Sequence, residues 1–329
     1  VETALISRTR VAELLTVETA IEAVEKAFRL LGEGGVPAPS TLGIHVEDGG
    51  FHVKAGAASL ERPWFAAKIN ANFPANPGRY RLPTIQGLVA LFDAGNGRPL
   101  ALLDSSELTA LRTAAATAVA AKHLARPDST TATVVGCGRQ SRAQLRALAR
   151  VVPLKRAFAV DLESALAGSY AREMTEELEI EVSATADLRA ALSETDLLVT
   201  CTPAREAFIR REDVRPGTFI AAVGADSEGK QEIEDALMAE SAVVADLLPQ
   251  AALIGDLQHP LARGLMRLED VRAELGAVVA GRAPGRVSAG EITVFDSTGI
   301  AVQDLFAAVA VYERALRSED RGARFDFSG

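Results

Sequence analysis

Apolar side chains recur along residues 17–31 at Ala20, Ile21, Val24, Ala27, Phe28 and Leu31. This is the i, i+3, i+4, i+7 spacing of a helix packed on a core. Between about Thr41 and Leu103 the period changes. The short runs Phe51-His52-Val53, Phe65-Ala66-Ala67-Lys68-Ile69, Gly87-Leu88-Val89-Ala90-Leu91-Phe92 and Leu100-Ala101-Leu102-Leu103 are separated by Gly, Pro, Asn and Asp. They predict an antiparallel sheet, with Asp93-Ala94-Gly95-Asn96-Gly97 as its clearest hairpin turn. Ser105-Ser106-Glu107 then caps a helix running through Arg112 to about Leu124, and Pro127-Asp128 breaks it.

Beyond that break strands and helices alternate. Strands are expected near 133–136, 157–161, 197–201, 219–223, 243–246 and 292–295, with helices such as 163–178 and 185–193 between them. Such alternation implies a parallel sheet covered on both faces. A last long helix, about Ile300 to Leu316, is expected to pack back on the first domain.

The first strand of this series runs straight into a glycine turn, Thr133-Val134-Val135-Gly136-Cys137-Gly138-Arg139-Gln140-Ser141. In a dinucleotide-binding turn the first glycine permits the tight bend and the second lets the pyrophosphate reach the backbone. The helix that follows offers its free N–H groups to the phosphates. Ser141 takes the third position, where a small side chain still allows close packing. The next strand ends on Asp161, about 20 residues past the glycines, as the fingerprint requires. An aspartate there accepts the ribose hydroxyls and repels a 2′-phosphate, which favours NAD; Arg156 nearby keeps NADP open.

Composition narrows the partners. Of 329 residues 48% are hydrophobic and 24% charged, an ordinary globular balance, and the formal net charge is −9. That charge argues against nucleic acid or an anionic membrane as main partner, since either calls for a basic face. No apolar run reaches the roughly 18 residues of a membrane span, and the start Val1-Glu2-Thr3-Ala4-Leu5-Ile6 lacks a basic leader, so a soluble, cytoplasmic chain is expected. Two cysteines (Cys137, Cys201) and four scattered histidines offer no framework of metal ligands.

Ligands of open α/β sheets bind beyond the carboxyl ends of the strands. That rule selects the Gly136 turn, Asp161, Cys201-Thr202-Pro203, Val223-Gly224-Ala225-Asp226 and Asp296-Ser297-Thr298-Gly299. Asp226 is the candidate acid–base, expected to stand partly desolvated at a fixed height after its strand. In the first domain Lys68 and Arg112 are cations in apolar settings, and Lys54 has the same standing with less support. An anionic ligand group would use all three, arginine bidentately and lysine as a point charge.

Lys68, Phe73-Pro74-Ala75-Asn76-Pro77, Leu82-Pro83-Thr84-Ile85-Gln86-Gly87, Asp93-Ala94-Gly95-Asn96-Gly97, Leu108-Thr109-Ala110-Leu111-Arg112-Thr113-Ala114-Ala115, Gly136-Cys137-Gly138-Arg139-Gln140 and Phe295-Asp296-Ser297-Thr298-Gly299 together resemble the ornithine cyclodeaminase/μ-crystallin family, from about residue 36 to 312. The resemblance implies an α/β fold: a Rossmann doubly wound parallel sheet over 125–299. A second α+β substrate and dimerisation domain comprises 1–124 completed by 300–329, the two facing each other across a cleft in a homodimer. It also implies carboxylate-binding roles for Lys68 and Arg112 and a catalytic role for Asp226, with Lys68 beside the chemistry. Thr113, Gly136, Gly138, Arg139, Gln140, Asp161, Thr202, Val223, Lys230 and Ser297 are the implied NAD contacts.

Two departures bear on the reaction. Ser40 stands where the family often carries an arginine, and Lys54 could supply that charge. The strand His52-Val53-Lys54 lacks the glutamate with which ornithine cyclodeaminases hold a distal amine. A lysine there would repel an ornithine ammonium. The implied activity is therefore NAD-dependent oxidoreduction of a small-molecule amino or imino acid, of alanine dehydrogenase or imine reductase type. Cyclodeamination and non-catalytic ligand binding like that of μ-crystallin are the alternatives.

Overall fold

In the computed structural model, which describes every residue except 1, 38, 321, 328 and 329, the chain divides into two units. One comprises residues 1–112 and 300–329, the other residues 113–299. The division falls inside the helix Ser105–Leu124, earlier than the boundary expected at its end. The second half of that helix is tied to the second unit: the carbonyl of Leu124 accepts hydrogen bonds from Thr293 Oγ1 and Arg286 Nε.

The strands of the first unit are β1 Glu2–Ile6, β2 Ser40–Val46, β3 Gly49–Ser59, β4 Pro63–Asn72, β5 Ile85–Asp93 and β6 Pro99–Asp104, followed after the second unit by β15 Ala323–Asp326. They form one sheet in the order β15-β1-β6-β5-β4-β3-β2. The expected antiparallel pairing holds for β2 to β6, but β1 joins β6 in parallel, so the sheet is mixed. The end segments β1 and β15 are too short to show a period of their own. The helices Val17–Gly32 and Ala301–Arg317 pack against each other, and the latter covers β3 and β4. Trp64 of β4 meets Tyr312 of that helix edge to face, ring centroids 6.0 Å apart.

Strand register separates two faces. Lys54 lies opposite Lys68, and Lys68 opposite Val89. One residue along, and hence on the other face, Leu42, Val53, Ile69 and Leu88 form a cross-strand row.

The second unit is an all-parallel sheet of β7 Thr131–Val135, β8 Arg156–Val160, β9 Glu181–Ala184, β10 Leu197–Thr200, β11 Phe219–Ala222, β12 Ala242–Ala245, β13 Ala273–Glu274 and β14 Thr293–Asp296. Its order is β13-β12-β14-β11-β10-β7-β8-β9. The central strands are buried end to end, which is why they read as continuous apolar runs. The chain runs outward from β7 through β8 and β9, then returns to place β10 on the other side of β7. The C-terminal ends of β7 and β10 are therefore the switch point where ligands bind such sheets.

Candidate active site

At that switch point Gly136 follows β7 with φ +90°, and a Cβ on it would lie 2.9 Å from the carbonyl oxygen of Cys201, just past β10. Backbone conformation and close approach both demand glycine. Gly138 precedes the helix Arg139–Ala149, and beyond its chain neighbours no atom of the described residues stands within 4 Å of where its Cβ would be. A side chain would narrow this open approach to the helix N-terminus, whose N-cap, a glycine, makes no side-chain capping bond. The cradle fits a dinucleotide pyrophosphate. Arg139 and Gln140 form the first turn of that helix. Buried Ser141 donates from Oγ to the Gly138 carbonyl at 2.8 Å. Arg142, which sequence reasoning did not single out, donates from Nη1 to the carbonyls of Cys137 (2.7 Å) and Gly138 (2.9 Å), bracing the turn from behind.

Asp161 ends β8 beside this turn. One carboxylate oxygen accepts from Cys137 N at 2.7 Å and the other from Glu163 N at 2.9 Å. Arg156 sits at the opposite end of the same strand, paired with Glu194 and bonded to Thr131. It therefore offers no charge beside Asp161, and the route it left open to NADP loses its support. Burial, with Asp161 adding to it, pushes the Cys137 thiol up to about 12, which leaves no thiolate nucleophile there at neutral pH.

The neighbouring loops are held by buried carboxylates that the sequence did not mark out. Glu232 accepts from Thr202 N and Oγ1, both at 2.7 Å, and from Gly224 N at 2.8 Å, joining the loops after β10 and β11. Burial raises its pKa, and these donors oppose the rise. Asp246 accepts from Thr298 Oγ1 and Gly299 N, and Asp296 from Leu257 N. Asp296 thus clamps a loop instead of presenting itself to a ligand. Val223 N and Ser297 N bond back to Thr200 and Ala222, while Ser297 Oγ is buried with no hydrogen-bond partner among the described residues.

Asp226 departs from expectation. Its side chain is 55% exposed and pairs with Lys230 Nζ at 2.6 Å, which also reaches the Gly224 carbonyl. The expected desolvation is absent because the residue lies in the turn after β11, clear of the apolar strand that precedes it.

In the first unit the structure brings the three selected cations together. Lys68 (3% exposed) reaches Asp304 at 2.8 Å, and Arg112 Nε stands 2.9 Å from the same carboxylate. Arg112 Nη1 donates to Gln303 Oε1 at 2.6 Å. Lys54, the cross-strand partner of Lys68, adds its field to both Lys68 and Asp304. Burial, and then Arg112, lower the Lys68 ammonium to about 7 against the pull of Asp304. Burial would raise Asp304, but Arg112 and Lys68 outweigh it and hold the carboxyl below its ordinary range. Lys68 and Arg112 thus share one buried carboxylate, with the field of Lys54 added to theirs, a setting for an anionic ligand group. Ser40 plays no part by register: it lies opposite Ala55, on the face away from Lys54. Thr113 is buried next along the helix from Arg112, at the start of the second unit.

Asp304 and Gln303 escaped sequence reasoning although a signal existed. They are adjacent polar residues in the first turn of Ala301–Arg317, whose neighbours on all sides are buried and apolar. A solvated helix start would not be apolar all round.

A pyrophosphate cradle at the switch point of a parallel sheet, in one chain with a buried cationic cluster, defines the class: a dinucleotide-dependent enzyme with a Rossmann unit. The chain belongs to the ornithine cyclodeaminase/mu-crystallin family, whose profile matches residues 1–319. Three solved structures show the likeness. An archaeal alanine dehydrogenase dimer with bound NAD is 37% identical, covering 99% of this chain and 100% of its own, with a TM-score of 0.94. The iminosuccinate reductase of Paracoccus denitrificans in complex with NAD+ is 33% identical, covering 99% and 100%, with a TM-score of 0.91. The Δ1-pyrroline-2-carboxylate reductase of Thermococcus litoralis with NADH and L-proline is 31% identical, covering 98% and 100%, with a TM-score of 0.90.

Proposed function

We propose that this chain is an NAD(H)-dependent oxidoreductase that interconverts an α-amino acid, or a cyclic imino acid, with its imine or keto form. The observation that carries the reading is the pair of buried cations Lys68 and Arg112 on one carboxylate, with half-buried Lys54 opposite Lys68, in a chain that also bears the glycine cradle. The cations bind the substrate carboxylate and fix its α-carbon. Gly136, Gly138, Arg139 and Gln140 hold the pyrophosphate of NAD, and Asp161 its ribose. Thr113, Thr202, Val223, Lys230 and Ser297 complete the cofactor contacts. Bound NAD supplies the hydride acceptor, or in reduced form the donor. Asp226 takes the proton from the amine nitrogen, or returns it to the imine, and Lys230 positions that carboxylate. The test is NADH oxidation with a panel of 2-keto acids plus ammonia or methylamine, and with pyrroline- and piperideine-2-carboxylate. No turnover on any of them overturns the proposal.

Lys68 gives this function a pH signature. Its ammonium form binds the carboxylate, so above about pH 7 each binding event takes up a proton. KM is expected to be flat at low pH and to climb toward about tenfold per unit between pH 8 and 9, with kcat carrying none of that slope. A KM that stays level from pH 6 to 9 removes Lys68 as a titrating carboxylate ligand.

We also infer a homodimer, with a second copy seated on the open face of the first unit's sheet. Leu42, Ile44, Phe51, Ile69 and Leu88 are all more than a third exposed there, and the adjacent strands β2 to β5 carry them side by side. An apolar face of this extent calls for a covering partner. Light scattering at micromolar concentration is expected to give twice the mass of one chain; a monomer rejects the assignment.

A further inference from the structure

Gln303 is fully buried beside Arg112, and its two amide atoms have different fates. A guanidinium carries donors only, so the atom 2.6 Å from Arg112 Nη1 has to be the amide oxygen. That fixes the orientation of the amide. Nε2, with two N–H donors, is left buried without a hydrogen-bond partner among the described residues. Buried polar atoms are almost always paired, so a donor in this state asks for an acceptor.

The residue type matters as much as the donor. A glutamate at 303 would also accept from Arg112, but it would add a second carboxylate to the cluster and reduce its positive charge. The amide keeps the bond to Arg112 and leaves Asp304 as the carboxylate that Lys68 and Arg112 share. A neutral donor within a cationic cluster suits a carboxylate, which accepts along several directions.

We infer that Gln303 is a further substrate-binding residue, its Nε2 donating to the carboxylate that Lys68 and Arg112 hold. The inference rests on the proposed function for the identity of that carboxylate, and its test is separable from it. Pyruvate serves as probe, read by thermal shift and by titration in the absence of turnover, on the wild type, Gln303→Met and Gln303→Glu. Gln303→Met is expected to weaken pyruvate about tenfold, the loss of one hydrogen bond to a charged group. Gln303→Glu should weaken it by about a hundredfold or more, since repulsion is added. NADH affinity, read by fluorescence, should be unchanged in both, and any turnover found should lose KM with kcat kept within a few-fold. Wild-type pyruvate affinity in Gln303→Met overturns the inference, and that variant decides alone if Gln303→Glu does not fold. A wild type that binds no pyruvate overturns it as well. A wild type that binds pyruvate but oxidises NADH with no substrate of the panel sinks the oxidoreductase reading and leaves Gln303 to be judged by the binding data.

Discussion

Replacing Asp226 by asparagine is expected to cut kcat by about a hundred- to ten-thousandfold, the usual worth of a positioned general acid–base, with NADH affinity and melting temperature unchanged. The geometry makes this a clean experiment. Asp226 is more than half exposed, and its ion pair with Lys230 is of the surface kind, worth little to stability. Asparagine keeps the shape and an oxygen acceptor for Lys230 and removes the charge, and with it the ability to carry a proton. A loss of turnover would therefore belong to chemistry rather than folding. Steady-state rates, an NADH fluorescence titration and a thermal melt on the same preparation decide it. Turnover near the wild-type rate would take Asp226 out of the proton path.

The same residue shows what a sequence can and cannot say about such a site. That Asp226 lies in the loop after β11 was legible, because the apolar run of β11 and the glycine after it are local signals. Its exposure is not local: it depends on how the turn carrying Asp226 and Lys230 leaves the sheet. The glycine turn was legible throughout, since strand, bend and helix start all lie within a dozen residues. The edge strands β9 and β13 were missed because four and two residues, half-buried, carry no readable period. Lys68 and Arg112 announced themselves as charges among apolar neighbours. Their counter-ion did not, for Asp304 lies 236 residues from Lys68 and meets it only because the C-terminal helix packs back on β4. That Ser40 turns away from Lys54 was not legible for a related reason: side-chain direction in a strand follows register, and a one-residue offset puts it on the far face.

Asp304 sets the second large expectation. It is the carboxylate that Lys68 and Arg112 share, and all three side chains are buried. Removing one member of a buried ion cluster leaves the other charges uncompensated, at a cost of about 3–5 kcal/mol. Here the cost divides unevenly. Lys68, already down at about 7, sheds its proton and escapes most of the penalty, whereas Arg112 stays charged at any working pH. Asp304→Leu is therefore expected to destabilise the first unit by about 3 kcal/mol. Replacing Arg112 by methionine in the same chain should recover a large part of that loss, while Lys68→Met should recover little. The chain carries its own reporter, since Trp64 is its single tryptophan and sits in β4 against Tyr312 of the Asp304 helix. Its fluorescence during urea unfolding follows the first unit separately from the second, which removes the need to treat two units as one transition. A shift worth less than about 1 kcal/mol for Asp304→Leu, the value of a surface pair, would mean that the cations do not depend on Asp304. Equal rescue by Lys68→Met and Arg112→Met would mean that Lys68 keeps its charge in the buried cluster, and the pH dependence expected of KM would have to be abandoned with it.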